Sequence, residues 1–408
     1  MLEFNHKSIL FLLLYINFND KVKSAEVKMK ELELLEFCKD KIDRRMENID
    51  TINNLREAPE ELNGRYTDRL EPITANTWTH SFLTGAVAYM YFHYKEQKYL
   101  DFLYSLFEHY KNGIYNNLKE VGHDTGFTYA LYATALYKIT GDKKVWELAL
   151  KAADELSKRH HYESGVIAAF CMLHEDKMNA IADDIMNLQL VMWAHNETGH
   201  CFYERVWKKH IQAVMTHMVR EDFTVRHAFA FDKTTGAPIC EKNWCGYACG
   251  SAWSRGNAWT IYGMSSAVIH SKDYYSYIPT LNGISDMFIR QIEKTDYIPV
   301  WDFYLPEYEN HMKDSSAAAI AASAFWSIDN KIPKNQLQGQ ILRAGEVSDR
   351  IFEELVKNYL APQENENILT KAQTGSRNAG CVWGDYFFIE LLMKRIHKED
   401  APNFWIND

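Results

Sequence analysis

Proline and glycine are scarce in this sequence, with 9 and 19 residues among 408. A chain with so few helix breakers is neither a collagen nor a low-complexity linker, and 47% apolar residues supply a large folded core. Aromatic residues are abundant instead, at 14% of the chain. This combination favours long helices that carry aromatic side chains on their buried faces.

A surplus of positive charge is also missing. The formal charge is −10 and the isoelectric point is about 5.9, so the chain has no basic field that would attract a nucleic acid. The seven cysteines are odd in number and scattered, which predicts reduced thiols rather than a disulfide framework. No segment has the roughly 20 consecutive apolar residues of a membrane helix. The sequence therefore predicts neither a nucleic-acid partner nor a membrane partner.

Motifs for metal, nucleotide and serine-hydrolase chemistry are absent as well. Cys240, Cys245 and Cys249 are close in sequence, but they lack a fourth ligand and the spacing of a zinc ribbon. The chain has no HExxH, no Walker or GxGxxG loop and no GxSxG elbow. We therefore predict no metal site and no organic cofactor.

The first residues allow two interpretations. Residues 9–16 form an apolar run after Lys7, and Ser24 and Ala25 supply small residues, as in a secretory signal. The run is short and its flanks are poor, so we expect a cytoplasmic protein, with secretion as the alternative if residues 1–25 are a signal peptide. We expect residues 1–28 to be an extension and residues 29–408 to form a single domain.

From about residue 30 onward, one pattern repeats: an apolar-periodic helix, a short polar turn and a second helix. The turns lie at Lys95–Tyr99, Thr140–Trp146, Glu197–Tyr203, His270–Tyr277 and, more weakly, Asp329–Pro333. Because a single helical hairpin cannot cover its own apolar face, neighbouring hairpins must stack, and about six close a ring. The sequence thus predicts an all-α fold, an (α/α)6 barrel, with an open solenoid as the alternative.

Two features refine this architecture. The runs Gly85–Met90 and Ala317–Ala324 are apolar nearly all round, as expected of inner helices that are buried on both sides. Strand signals are confined to the segment from Thr224 to Phe231. The long connections between hairpins are rich in Asp, His, Trp and Arg, so we expect chemistry where these connections gather over the central hole.

Aspartates at two helix starts are the strongest catalytic candidates. Asp124 precedes one helical run, and Asp183 and Asp184 open another about sixty residues later. Each is also a good helix cap, and capping alone explains its position. The alternative is that two of them meet at one mouth of the ring, where repulsion between like charges raises one pKa and makes a proton available near neutral pH.

Aromatic and basic residues in the same connections are candidates for binding. Trp78, Trp253 and Trp259 suit either the core or the flat face of a sugar ring. Arg255 needs a carboxylate partner, from the protein or from a ligand. His227 follows a predicted strand and is equally compatible with a satisfied structural imidazole.

The chain resembles the unsaturated glucuronyl hydrolases, glycoside hydrolase family 88, between about residues 70 and 393. The resemblance lies in eight segments in one order: Trp78 with Gly85, His123–Phe127, Ile181–Leu190, Val219–His227, Ser251–Trp259, Trp301–Phe303, Asp314–Ala319 and Trp383–Phe388. It implies an (α/α)6 barrel that removes the 4,5-unsaturated uronic acid left at the non-reducing end of lyase-generated, glycosaminoglycan-type oligosaccharides.

The resemblance also implies a mechanism and a site. The residue matching Asp183 protonates carbon 4 of the vinyl ether and activates the water that adds at carbon 5, after which the hemiketal opens and the glycosidic bond is lost. Asp124 is the second essential acid. Trp78, His227, Arg255 and Trp259 are expected to surround the unsaturated sugar, with Arg255 meeting the uronate charge.

This chain departs from the family pattern at two places. Cys245 stands where the family commonly has Gln before Gly-Tyr, and Arg255-Gly256-Asn257 replaces Arg-Gly-Gln. The second form also resembles glycoside hydrolase family 105, so an unsaturated rhamnogalacturonyl hydrolase is the nearest alternative. More distant alternatives are a sugar isomerase or epimerase and an inert carbohydrate-binding toroid. No pattern predicts an oligomeric state.

Overall fold

The computed structural model describes residues 30–48, 60–66, 78–118, 121–169, 177–271, 274–307, 311–375 and 377–406. Twelve helical segments alternate between an outer and an inner position. The outer segments are α1 (30–48), α3 (Gln97–Ser105) with α4 (Phe107–Asn116), α7 (Lys143–Ser157), α9 (Cys201–Ala213), α11 (Ile278–Ile292) and α13 (Ala344–Asn358). The inner segments are α2 (Ser81–Tyr94), α5 (Thr125–Tyr129) with α6 (Ala135–Thr140), α8 (Asp184–Thr198), α10 (Ser254–His270), α12 (Ser315–Lys331) and α14 (Val382–His397).

The inner helices form a closed ring. Helix α2 packs against α5 on one side and α14 on the other, and the series continues through α8, α10 and α12. Inner helices are buried nearly all round, whereas outer helices such as α7 and α13 bury one face. The predicted (α/α)6 barrel is confirmed, and the open solenoid is wrong because the last inner helix covers the first.

The short turns lie at one end of the barrel. The five predicted turns each separate an inner helix from the following outer helix. Gly141 and Gly199 end α6 and α8 with φ of 70° and 66°, a left-handed conformation that glycine adopts without strain. Since every inner helix runs toward this end, all six N-termini gather at the opposite end.

Short strands occupy the long connections at the N-terminal end of the inner helices. Strands β1 (Lys177–Ile181), β2 (Ala228–Asp232) and β3 (Pro238–Lys242) form an antiparallel sheet in that order, and β4 (Ala372–Thr374) pairs with β5 (Arg377–Ala379). The expectation that strands are confined to Thr224–Phe231 was wrong, because pairing with β2, and of β4 with β5, imposes extended structure on segments that lack a strong strand pattern.

The segment 401–406 closes the other end of the ring. Phe404, Trp405 and Ile406 are fully buried. The Trp405 ring stacks on Phe387 at 5.8 Å, and its Nε1 donates to Glu390 Oε2 at 3.0 Å. The segment therefore fills the central hole at the end where the short turns lie.

The expected extension 1–28 and the apolar run within it lie outside the described residues. The boundary at residue 28 stays a prediction. None of the helices that the structure describes is long and apolar enough to span a membrane.

Candidate active site

Asp124 and Asp183 occupy equivalent positions on neighbouring inner helices. Asp124 is the N-cap residue of α5, and Asp183 is the N-cap residue of α8. Neither side chain hydrogen-bonds to its own helix, so the capping interpretation of the two carboxylates is wrong. Both side chains line one cavity of about 570 Å³ at the N-terminal end of the ring.

Asp183 is the carboxyl group whose environment suits a proton donor. Its Oδ2 atom is buried and has no hydrogen-bond partner among the described residues. Burial and the nearby charge of Asp124 raise the pKa of Asp183 from 3.8 to about 7, while Arg255 opposes the shift. A carboxyl group with this pKa is partly protonated at neutral pH.

Asp184, the other sequence candidate, faces away from the cavity. It is fully buried, and its Oδ2 accepts a hydrogen bond of 3.0 Å from the backbone N–H of Ile181. Burial raises its pKa well above the usual range. Asp184 therefore links the end of β1 to the start of α8. This hydrogen bond orients the preceding residue, Asp183, toward the cavity.

Asp124 receives a polar neighbour at each carboxylate oxygen. His123 Nε2 lies 3.3 Å from Oδ2, and Asn187 Nδ2 donates to Oδ1 at 3.4 Å. The two acids thus differ in their surroundings: Asp124 receives a hydrogen bond from the Asn187 amide, whereas one oxygen of Asp183 has no partner among the described residues.

His227 lines the cavity as a neutral imidazole. Its Nδ1 accepts hydrogen bonds from the backbone N–H groups of Trp244 at 3.0 Å and Cys245 at 3.3 Å. Burial and the charge of Arg255 lower the pKa of His227 to about 4. Because Nδ1 accepts, the single proton of the neutral ring is on Nε2, which makes this side chain a hydrogen-bond donor.

Arg255 lies at the cavity wall, and its charge is already paired. Its Nη1 donates to Asp314 Oδ2 at 2.5 Å and to the carbonyl of Gln373 at 2.9 Å. Asp314 is fully buried and caps α12, so this ion pair joins the starts of α10 and α12. Of the two partners that the sequence left open for Arg255, the structure supplies the protein carboxylate.

Aromatic rings form much of the remaining wall. Trp78, Trp244 and Trp253 line the cavity, and Trp78 packs on Trp383 at 4.9 Å. Trp259 does not reach it: the ring is fully buried and packs against Phe127 and Phe387. A ring without an exposed face cannot stack on a sugar, so Trp259 is a core residue and its predicted binding role is withdrawn.

The two departures from the family pattern have different positions. Cys245 lines the cavity, and burial together with the charge of Asp183 raises the pKa of its thiol to about 11. Asn257 is fully buried, accepts from the N–H of Val225 at 2.9 Å and donates to the carbonyl of Trp253 at 2.7 Å. Only the cysteine can therefore touch a ligand in the cavity.

Several residues of the site were not predicted. His123, Asn179 and Trp244 line the cavity, and Asn187 lies behind it. Asn187 had a detectable signal, because it follows Asp183 by four residues and so lies on the same side of the helix. Trp244 had none, since its position depends on the fold of the loop that Asp302 holds through the N–H of Tyr247 and the hydroxyl of Ser251.

Within the described ranges, no group of three or more His, Cys, Asp or Glu side chains is arranged to hold a metal ion.

The sequence model of Glycosyl Hydrolase Family 88 matches residues 49–380, most of the chain. The chain belongs to this family. It is therefore a glycoside hydrolase, as the resemblance implied.

Curated relatives and solved structures agree with this assignment. The chain is 27% identical over 389 residues to an unsaturated chondroitin disaccharide hydrolase of Streptococcus pneumoniae (strain ATCC BAA-255 / R6), covering 92% of this chain and 96% of that protein. It is 28% identical to an unsaturated glucuronyl hydrolase of Bacillus sp. (strain GL1), covering 78% and 85%. A crystal structure of unsaturated glucuronyl hydrolase from Streptococcus agalactiae has a TM-score of 0.82 at 26% identity, covering 93% and 94%.

Proposed function

We propose that this family 88 enzyme removes 4,5-unsaturated uronic acid from the non-reducing end of lyase-generated, glycosaminoglycan-type oligosaccharides. One observation carries the proposal: a carboxyl group with a buried, unpartnered oxygen faces a cavity of sugar size beside a second carboxylate. The names of the curated relatives support the same substrate class.

The proposed reaction is hydration of the vinyl ether. Neutral Asp183 donates its proton to carbon 4, and positive charge develops at carbon 5 and the ring oxygen. Water adds at carbon 5 and returns a proton to the Asp183 carboxylate, which restores the acid. The resulting hemiketal opens to a ketone, carbon 1 becomes a hemiacetal, and collapse of that hemiacetal releases the remaining sugar as an alcohol.

The surrounding groups have distinct tasks in this proposal. Asp124, as an anion, keeps the pKa of Asp183 high and stabilises positive charge in the transition state. The Nε2–H of His227 is available to donate to a substrate oxygen. Trp78 and Trp244, which line the cavity and keep exposed surface, offer apolar faces to the C–H faces of the sugar.

An acidic substrate must bind to a protein of net charge −10. The positive ends of the six inner helix dipoles converge on the cavity and offset this charge locally. Arg255 adds to that field, but its ion pair with Asp314 means that a uronate carboxylate would share the guanidinium rather than bind it alone. Overall repulsion is screened beyond about 8 Å at physiological salt.

The isomerase or epimerase alternative required a pair of bases in the ring centre. Two histidines, His123 and His227, do line the cavity. However, Nδ1 of His227 accepts two backbone N–H groups, so the neutral ring presents a donor and not a base. This protonation pattern favours the hydrolase.

The test is loss of the alkene's ultraviolet absorbance with lyase-made disaccharides. We expect Asp183→Asn to lower the rate by about 10²–10⁴-fold, the usual contribution of a general acid, with an unchanged circular dichroism spectrum. Asp184→Asn is the matched control: the amide oxygen still accepts from the N–H of Ile181, and the side chain does not line the cavity, so most activity should remain. A D183N enzyme of near-normal rate would overturn the assignment.

The same assay distinguishes the family 105 alternative. Unsaturated disaccharides from chondroitin, hyaluronan and heparin should be cleaved in preference to the unsaturated rhamnogalacturonan disaccharide. The opposite order would identify the alternative as correct while leaving the role of Asp183 intact.

A further inference from the structure

Asn187 joins the two helix starts that carry the acids, although it does not line the cavity. It is fully buried in the first turn of α8, and nothing in the sequence motifs gave it a function. Its Oδ1 accepts a hydrogen bond of 2.8 Å from the backbone N–H of Phe127 in α5. Because a backbone N–H can only donate, this bond fixes the amide with its oxygen toward α5.

The amide nitrogen is thereby turned toward the acids. Its two N–H groups point to Asp124 Oδ1 at 3.4 Å and to the carbonyl oxygen of Asp183 at 3.5 Å. Both contacts are long. The amide cannot adopt another orientation without losing the hydrogen bond from the N–H of Phe127. The backbone supports the same contact, since a Cβ atom on Gly126 would lie 2.2 Å from Cα of Asn187.

We infer that Asn187 is a positioning residue: it holds the Asp124 carboxylate against Asp183 by binding both helix starts through one amide. This inference rests on the proposed function and deepens it. Asn187 does not touch the substrate in this arrangement, so it acts through Asp124, whose charge is one of the two causes of the high pKa of Asp183.

Other charged and titratable groups face Asp183 and must be considered in any pH dependence. They are Asp124 and His123 at the start of α5, Asp184 in α8, His227 before β2, Cys245 in the following loop and Arg255 in α10; Arg159 after α7 acts on Asp184. Substitution of Asn187 leaves the composition of this group unchanged, except where it adds a charge of its own.

The test compares the alkaline limb of the pH–rate profile in two variants. Asn187→Leu releases Asp124, weakens its effect on Asp183 and should move the limb from about pH 7 to lower pH. Asn187→Asp places a carboxylate beside both acids and should move the limb to higher pH. We expect each shift to be at least about half a pH unit, a threefold change in rate at the limb, with kcat reduced and KM within about twofold of the parent.

Gln189→Leu is the matched control. Gln189 is a fully buried amide two residues along α8 that accepts from the Ser266 hydroxyl at 2.7 Å and contacts neither acid. Loss of this amide should lower the melting temperature without moving the alkaline limb of the pH–rate profile. Asn187→Asp keeps an acceptor for the N–H of Phe127, so it tests the inference even if Asn187→Leu fails to fold.

The outcomes separate this inference from the proposed function. Opposite shifts in the two Asn187 variants support it. An unmoved alkaline limb in either folded variant overturns it, provided that the parent enzyme is active and D183N is not. An inactive parent enzyme or an active D183N variant instead overturns the proposed function.

Discussion

At the scale of single residues, Asp183 stabilises the protein only while it is protonated. In the unfolded chain an aspartate ionises near pH 4, whereas the pKa of folded Asp183 is about 7. Between these values the folded state binds the additional proton, so this contribution to stability is present below about pH 4 and is lost as the pH rises to about 7. The ionised form of Asp183 therefore lowers the stability of the folded protein at and above about pH 7.

The raised pKa of Asp183 predicts that D183N and the parent differ in stability. Asparagine cannot ionise, so the variant should be more stable than the parent at pH 8. Its free energy of unfolding should be higher by up to about 4 kcal/mol. The difference should shrink to nearly zero by about pH 4. Calorimetry or urea denaturation at both pH values measures this difference. Equal stabilities at pH 8 would show that ionisation of Asp183 does not destabilise the folded protein.

The sequence identified several site residues because their positions followed from helix starts. Asp124 and Asp183 precede strong apolar-periodic runs, and Trp78 precedes another. The orientation of Trp253 and Trp259 could not be read in this way, because it depends on where α10 begins. Since Trp253 is the N-cap residue and Trp259 lies six residues later, the two rings point to different sides of the helix.

At the scale of elements, the close approach of α5 and α8 determines the distance between the acids. Gly126→Ala should place a methyl group where backbone atoms of Asn187 already lie, 2.2 Å away. We expect the helices to separate, stability to fall by about 1–3 kcal/mol or more, and activity to fall with it. Gly122→Ala, where the new methyl group meets only one backbone atom at 3.9 Å, is the control and should resemble the parent in melting temperature and rate.

The elements themselves were largely predictable, and the exceptions have one cause. Helices and turns follow from local periodicity and from residues such as Gly141 and Gly199. Strand β1 is instead defined by long-range pairing with β2, whereas β3 pairs with β2 and β5 pairs with β4 across short loops; none of these partners is contained in the pattern of the segment itself. At the end of β1, a hydrogen bond from the N–H of Ala182 to the carbonyl of His227 places His227 near Asp183.

At the scale of the whole molecule, Trp405 supports the ring from the end opposite the cavity. Trp405→Ala should cost about 3–5 kcal/mol, because a fully buried aromatic ring is removed and Glu390 loses a donor. Tyr275→Ala, at a ring that is 70% exposed, is the control and should change stability little. Thermal unfolding compares the two, and a W405A protein as stable as the control would show that the segment 401–406 is not part of the core.

Closure of the ring has a consequence for biosynthesis. Helix α2 begins at Ser81, but its neighbour α14 begins at Val382, about 300 residues later. At the usual pace of about 5–20 residues per second, a ribosome needs roughly 15 to 60 s to make the intervening chain. During that interval the nascent protein exposes an apolar groove that α14 has yet to fill, so its demand on chaperones should be greatest just before α14 is synthesised.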